Sequence, residues 1–172
     1  MPNEESVNEA SKVLIENLLE QNLSDVTGSS KFFSDAVEGL LSGLIWKLKT
    51  SYPEYCTLPH LIALFQSMNT KKLVAFLSSD LTSKSMASTF INGIDSDKQT
   101  AGVKNTLANA LKKIASQQLF MVLSKDEVPL NFNSRENSGI ISIVNNPKYE
   151  SVYSPVIAMI VHTVIKQMSV RG

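Results

Sequence analysis

The stretch GIISIVNNPKYESVYSPVIAMIVHTVIK, from Gly139 to Lys166, reads as one strand-turn-helix unit. Ile140, Ile141, Ile143 and Val144 form an apolar β-branched run, Asn145-Asn146-Pro147 breaks it, and a helix is entered near Ser154-Pro155. A strand that is apolar at nearly every position is the kind buried in a sheet covered on both faces. The chain offers hardly another strand to pair with it. Its one evident neighbour is Val128 to Phe132, a short edge strand in which Leu130 and Phe132 alternate with asparagines and Pro129 disfavours a central place. The expectation is a piece of a larger α/β protein whose other strands lie outside this chain.

Upstream of that unit the pattern is helical. Val7, Ala10, Val13, Leu14 and Leu18 recur at intervals of three and four, which gives a first helix one apolar face. Gly28-Ser29-Ser30 ends that region. From about Phe32 to Lys49 the residues Phe33, Val37, Leu40, Leu41, Leu44, Ile45 and Leu48 make the strongest amphipathic pattern in the chain, so this helix is expected at the core. After Ser51-Tyr52-Pro53, Thr57 caps a third helix, where Pro59 is tolerated because first-turn N–H groups have no helical partner. Two short helices follow, around Lys71 to Ser78 and Ser83 to Ile91, the second closed by Asn92-Gly93. Ser96-Asp97-Lys98-Gln99 has the form of a capping box and starts a long helix whose apolar pattern continues through Leu119 to Leu123.

The 172 residues are 43% apolar, enough for a real core. A formal net charge of zero argues against a wholesale polyanion binder. Charge is nonetheless uneven. Before Ser30 one lysine, Lys12, faces six acids, whereas Lys98 to Lys125 holds five lysines and no acid. The single cysteine, Cys56, excludes an internal disulfide. The longest unbroken apolar run, Pro155 to Val161, is far short of the roughly 18 residues that span a bilayer, so no direct membrane insertion by this piece is expected.

Catalytic constellations are sparse. The GxxxxGK[ST] pattern of a phosphate loop is absent from the sequence, so nucleotide binding by that loop is excluded. Cys56 and His60 lie four apart, but Thr57-Leu58-Pro59 places a helix start between them, and a packed cysteine with an ordinary cap-region histidine explains both. His162 falls on the narrow polar strip of the last helix beside Lys166 and reads as a surface histidine. No metal-ligating set and no catalytic or cofactor-binding residue stands out. On the Lys98 helix, Val103, Leu107, Ala110, Leu111 and Ile114 share one face, while Lys98, Asn105, Asn109, Lys112 and Lys113 gather opposite. Lysine and asparagine together can contact phosphates, although this face has no aromatic residue on which a base would stack. Lys98, Lys104, Lys112 and Lys113 are the candidate docking residues for DNA or a partner protein.

Several short segments carry a family resemblance spread along most of the chain. Lys31-Phe32-Phe33 with Ala36 and Leu40-Leu41, Tyr55-Cys56-Thr57-Leu58-Pro59-His60, Ala115-Ser116 ahead of Val122-Leu123-Ser124, Ile143-Val144-Asn145-Asn146-Pro147, and Tyr153-Ser154-Pro155 occur in the order seen in TraG/TraD-type conjugative coupling proteins. The chain resembles their Bacteroidetes-like branch. The resemblance implies a membrane-anchored hexameric motor of type IV secretion, with a RecA-like ATPase domain interrupted by a cargo-facing all-α domain. It implies ATP and Mg in a full-length parent, none of them held by this chain, and a position at the cytoplasmic face of the inner membrane. Implied partners are a relaxase or an accessory relaxosome protein, and DNA.

The fold expected is mainly α: a helical bundle-like all-α domain with a short C-terminal strand-helix element from a RecA-like α/β ATPase domain. Residues 1–29 are expected as a leading helix and linker, 30–125 as the all-α cargo-facing domain, and 126–172 as short strands and the last helix of an incomplete ATPase core. Such a piece is not itself an enzyme, and its function is to recruit relaxosome or DNA substrate. The alternatives are an independent helical adaptor or regulator without a motor, and a small hydrolase centred on Cys56 and His60.

Overall fold

Residues 3–20, 27–125, 127, 139–140 and 142–169 are described in this computed structural model, and among them are α-helices and no strand. In chain order the helices are α1 (Glu4–Leu19), α2 (Ser29–Ser51), α3 (Leu58–Ser67), α4 (Thr70–Ser78), α5 (Leu81–Met86), α6 (Ser88–Asn92), α7 (Asp97–Lys112), α8 (Gln117–Leu123) and α9 (Glu150–Ser169). Local chemistry explains most of their starts. Asn3, Thr57, Asn69, Asp80, Ser96 and Ser116 each accept a backbone N–H of the first turn they precede, which satisfies a donor that no helical carbonyl can reach.

The mainly α expectation holds, and four details differ. The helix begun at Ser96 stops at Lys112, because Ser116 opens a new first turn by accepting the Leu119 N–H at 3.2 Å. The helix expected over Ser83 to Ile91 is two, divided at Ala87 (φ −86°, ψ 12°), and the bend keeps both pieces packed on α2. The last helix starts at Glu150, ahead of Pro155, because Asn146 accepts the Lys148 N–H at 3.0 Å and sets a 3-10 turn, Pro147–Tyr149, that runs straight into it. Finally, residues 142–146 have no regular structure, with Ile140 fully exposed and Val144 84% exposed. The expected edge strand Val128–Phe132 and Ile141 lie outside the described residues.

The core is arranged around α2. Val37, Leu40, Leu41 and Leu44 are fully buried there, joined by Leu14, Ile15 and Leu18 of α1, Leu61 and Ile62 of α3, Leu73 and Leu77 of α4, Phe90 of α6, Leu107 and Leu111 of α7, and Val156 of α9. Helices α1 and α9 pack on each other, and α1 also packs on α2 and α7. One continuous core therefore joins the first helix, the middle helices and the last.

The reverse side of α2 is buried as well, and small residues make that possible. A Cβ at Gly39 would stand 2.4 Å from the Met86 carbonyl oxygen, and one at Gly43 would stand 2.9 Å from that of Ser83. With no side chain in the way, α5 comes close enough for the Ser83 hydroxyl to donate to the Gly43 carbonyl at 2.8 Å inside the core. An alanine at Gly39 gains up to about 1 kcal/mol of helix propensity, whereas forced overpacking costs roughly 1–3 kcal/mol. The obstruction is backbone and cannot swing aside, so the cost wins.

Two predictions follow from this packing. Gly39→Ala lowers the urea midpoint, while Gly102→Ala, whose Cβ would meet only the rim of the Phe33 ring, changes it less; equal effects at the two sites would contradict the close-approach argument. The second concerns Glu38, whose carboxyl is pushed up by burial, pulled down by Lys12 and pushed up again by Asp35 and Glu16. Burial dominates, so the folded chain holds more protons than the unfolded one between the two values, and stability falls as pH rises through that window. Glu38→Gln therefore stabilises the fold more at about pH 7 than at about pH 4, read from urea midpoints at the two pH values.

Candidate functional site

Tyr52 and Tyr55 flank the break at which the chain leaves α2. The break is steep because Tyr52 sits at φ −142°, ψ 59°, and Pro53 opens a 3-10 turn, Pro53–Tyr55, that reverses the chain toward α3. Thr57 then enters α3 in extended conformation, accepting the His60 N–H at 3.5 Å. The same hydroxyl lies 2.7 Å from Nδ1 of the His60 ring, so one threonine fixes both the helix start and the orientation of the imidazole.

These constraints hold a row of rings around a groove. The Tyr52 ring stacks on Phe76 of α4, with centroids 6.3 Å apart and planes 17° from parallel, and Tyr55 meets the His60 ring edge-on at 5.2 Å. Between them opens a cavity of about 630 Å³, floored by Leu48, Leu64 and Met68. Tyr52 and Tyr55 remain about half exposed. Apolar walls with a few polar tips are the general make-up of binding clefts, and half-exposed tyrosines supply contact area at little entropic cost.

Cys56 and His60 are directed to different partners. The Cys56 thiol points to the Ile45 carbonyl at 3.9 Å, and burial pushes its pKa up despite the nearby Lys49. That shift works against a thiolate nucleophile. His60 faces Thr57 and Tyr55. Among the described residues, no group of three His, Cys, Asp or Glu side chains could hold a metal ion.

The four candidate lysines divide into two pairs. Lys98 and Lys112 stand exposed on α7. Lys104 turns inward, its Nζ 3.4 Å from the Met68 carbonyl and 3.5 Å from the Thr70 hydroxyl, which ties α7 to the corner between α3 and α4. Lys113 donates to the Leu18 carbonyl at 2.6 Å and pairs with Glu20 at 3.4 Å, closing the C-terminal end of α1 where cations are favoured. The groove is absent from a reading by periodicity, because Tyr52 and Phe76 meet only after α3 and α4 fold back. The available signal was Tyr55 to His60, already set apart by its resemblance.

No match is found among family models, curated proteins or solved structures. The fold and the groove define a helical domain with a concave aromatic surface, and among the described residues no helix is long and apolar enough to cross a membrane.

Thr57 is the test of how the groove is held. Thr57→Ala is expected to reduce stability by about 0.5–2 kcal/mol, the usual cost of losing a side-chain cap, and to move the His60 ring resonances in an NMR spectrum. Unchanged ring resonances would show that the threonine does not orient the imidazole.

Proposed function

We propose that this chain is a recruitment module: the cargo-facing all-α domain of a conjugative coupling protein, docking a relaxase or accessory relaxosome protein through the tyrosine groove. One observation carries the reading. Tyr55 and His60, the two ends of one of the segments on which the resemblance to TraG/TraD-type coupling proteins rests, line a concave, half-exposed aromatic surface together with Tyr52 and Phe76. Surfaces of that composition supply the anchoring contacts of protein interfaces. Exposed Lys98 and Lys112 add positive charge for an acidic partner or DNA.

In this reading the module transfers no phosphate. ATP and Mg belong to the parent motor, at the cytoplasmic face of the inner membrane, and hydrolysis there drives translocation of what the module has captured. The apolar run Ile140 to Val144 would be a strand only within the parent's RecA-like sheet. The exposure of Ile140, Ile143 and Val144 favours this, as does the exposed stripe Val161, Ile165 and Met168 on α9, since both leave apolar surface for something to cover.

A second reading, an adaptor without a motor, is favoured by the closure of α1 and α9 into the same core as α2. The two share the docking surface and differ in what is attached to it.

The test is a pull-down with the immobilised chain against purified relaxase and accessory protein. Wild type is expected to retain one of them, and Tyr52→Ala with Tyr55→Ala to lose about tenfold or more in affinity, as at hot-spot positions. Reversing Lys98 and Lys112 to glutamate should weaken binding most at low salt. Retention unchanged by the tyrosine pair, with helical circular dichroism intact, would overturn the assignment.

A further inference from the structure

A second concavity, of about 470 Å³, lies where α1, α2 and α9 meet. Its chemistry differs from that of the tyrosine groove. Lys49 of α2 and His162 and Lys166 of α9 stand around it with Ser6 of α1, and Val7 and Ile45 form an apolar base, while the Thr163 hydroxyl at its edge is already donated to the Met159 carbonyl at 2.8 Å. Three basic side chains on two helices converge on one opening.

The chain's own use of these groups indicates their preference. Glu9 of α1 accepts from the Lys166 ammonium, and its Oε2 lies 3.7 Å from His162 Nε2. Lys166 accordingly leads the causes that hold the Glu9 carboxyl below its ordinary value. Yet the fit is incomplete. His162 Nε2 is buried and has no hydrogen bond, and Glu9 itself is about half exposed. An exposed pair of this kind is worth little and is readily exchanged. The internal carboxylate thus sits at the edge of a cationic opening without satisfying it.

We propose that this cleft binds a small carboxylate with an apolar body, whose head group replaces Glu9 on Lys166 and His162 and whose body lies on Val7 and Ile45. Lys49 of α2 supplies a second cation at the same opening. Affinity comes mainly from covering the apolar base, while the basic groups select the sign of the head group. The inference is independent of docking at the tyrosine groove, which lies around the end of α2 and the α3–α4 pair.

Octanoate is a suitable probe, titrated into the full 172-residue chain with amide shifts followed by NMR. Saturable shifts are expected at Ser6, Ala10 and Thr163, with no saturable response to octylamine. Glu9→Gln removes the internal competitor and should tighten octanoate binding by about threefold, whereas Lys166→Met should weaken it by about threefold, the scale of one half-exposed ion pair. The opposite signs separate a binding role from a purely structural one, because both variants remove the same α1–α9 ion pair. Shifts confined to Tyr52 and Phe76, an equal response to octylamine, or weakening by both variants would overturn the proposal.

Discussion

Helix α2 must be covered on nearly every side, and the remaining helices are arranged to do it. Its residues Ala36, Val37, Leu40, Leu41, Ser42, Gly43, Leu44, Trp46 and Leu48 are all buried, more than an amphipathic surface helix would hide. Truncating one of its fully buried leucines would cost about 2–5 kcal/mol, a large share of the stability of a domain this size. Coverage is also selective. Helices α1, α3 and α7 bring leucines and isoleucines to the wide side, whereas α5 reaches the narrow side over glycine, carbonyl against helix, with Leu77 of α4 beside it at Gly43. Any change that pushes α5 outward exposes the narrow side to water.

Both clefts follow from that arrangement. The tyrosine groove forms because the chain must turn sharply at the end of α2 to lay α3 and α4 beside it, which strands Tyr52 and Tyr55 at the turn. The basic cleft forms because α9 packs on α1, which in turn packs on α2, so Lys49 of α2 and His162 and Lys166 of α9 end up around a shared gap beside α1. In each case the backbone geometry is set by the core, and the side chains at its ends are left with surface to offer.

How far the sequence carries this depends on whether a signal is local. Thr57, Ser96 and the stripe Val37, Leu40, Leu41 and Leu44 are legible in advance, because capping and helical periodicity are settled within a few residues. The break at Ser116 is a local signal too, but the apolar residues on both sides of it share a period and hide it. Burial on the far side of α2 is not legible, since Ser42 and Gly43 read as polar or neutral until α5 is placed against them. The lysines of α7 show a different failure. A helical wheel places Lys113 on the outward side and Lys104 on the flank of the apolar face, yet in both a four-carbon stem reaches a carbonyl of a neighbouring element, that of Met68 for Lys104 and that of Leu18 for Lys113. The run Ile140 to Val144 has the composition of a strand, but strand formation needs a partner ladder, and no strand occurs among the described residues.

Recruitment through the aromatic rim is the central claim, and it is tested most directly by footprinting. The chain, labelled with ¹⁵N and titrated with purified relaxase, should show its largest amide changes at Tyr52, Tyr55, His60, Phe76 and their immediate neighbours, with α9 little affected. Changes concentrated on α9 and residues 139–146, with the groove unaltered, would contradict the account and place the docking surface on the other side of the molecule.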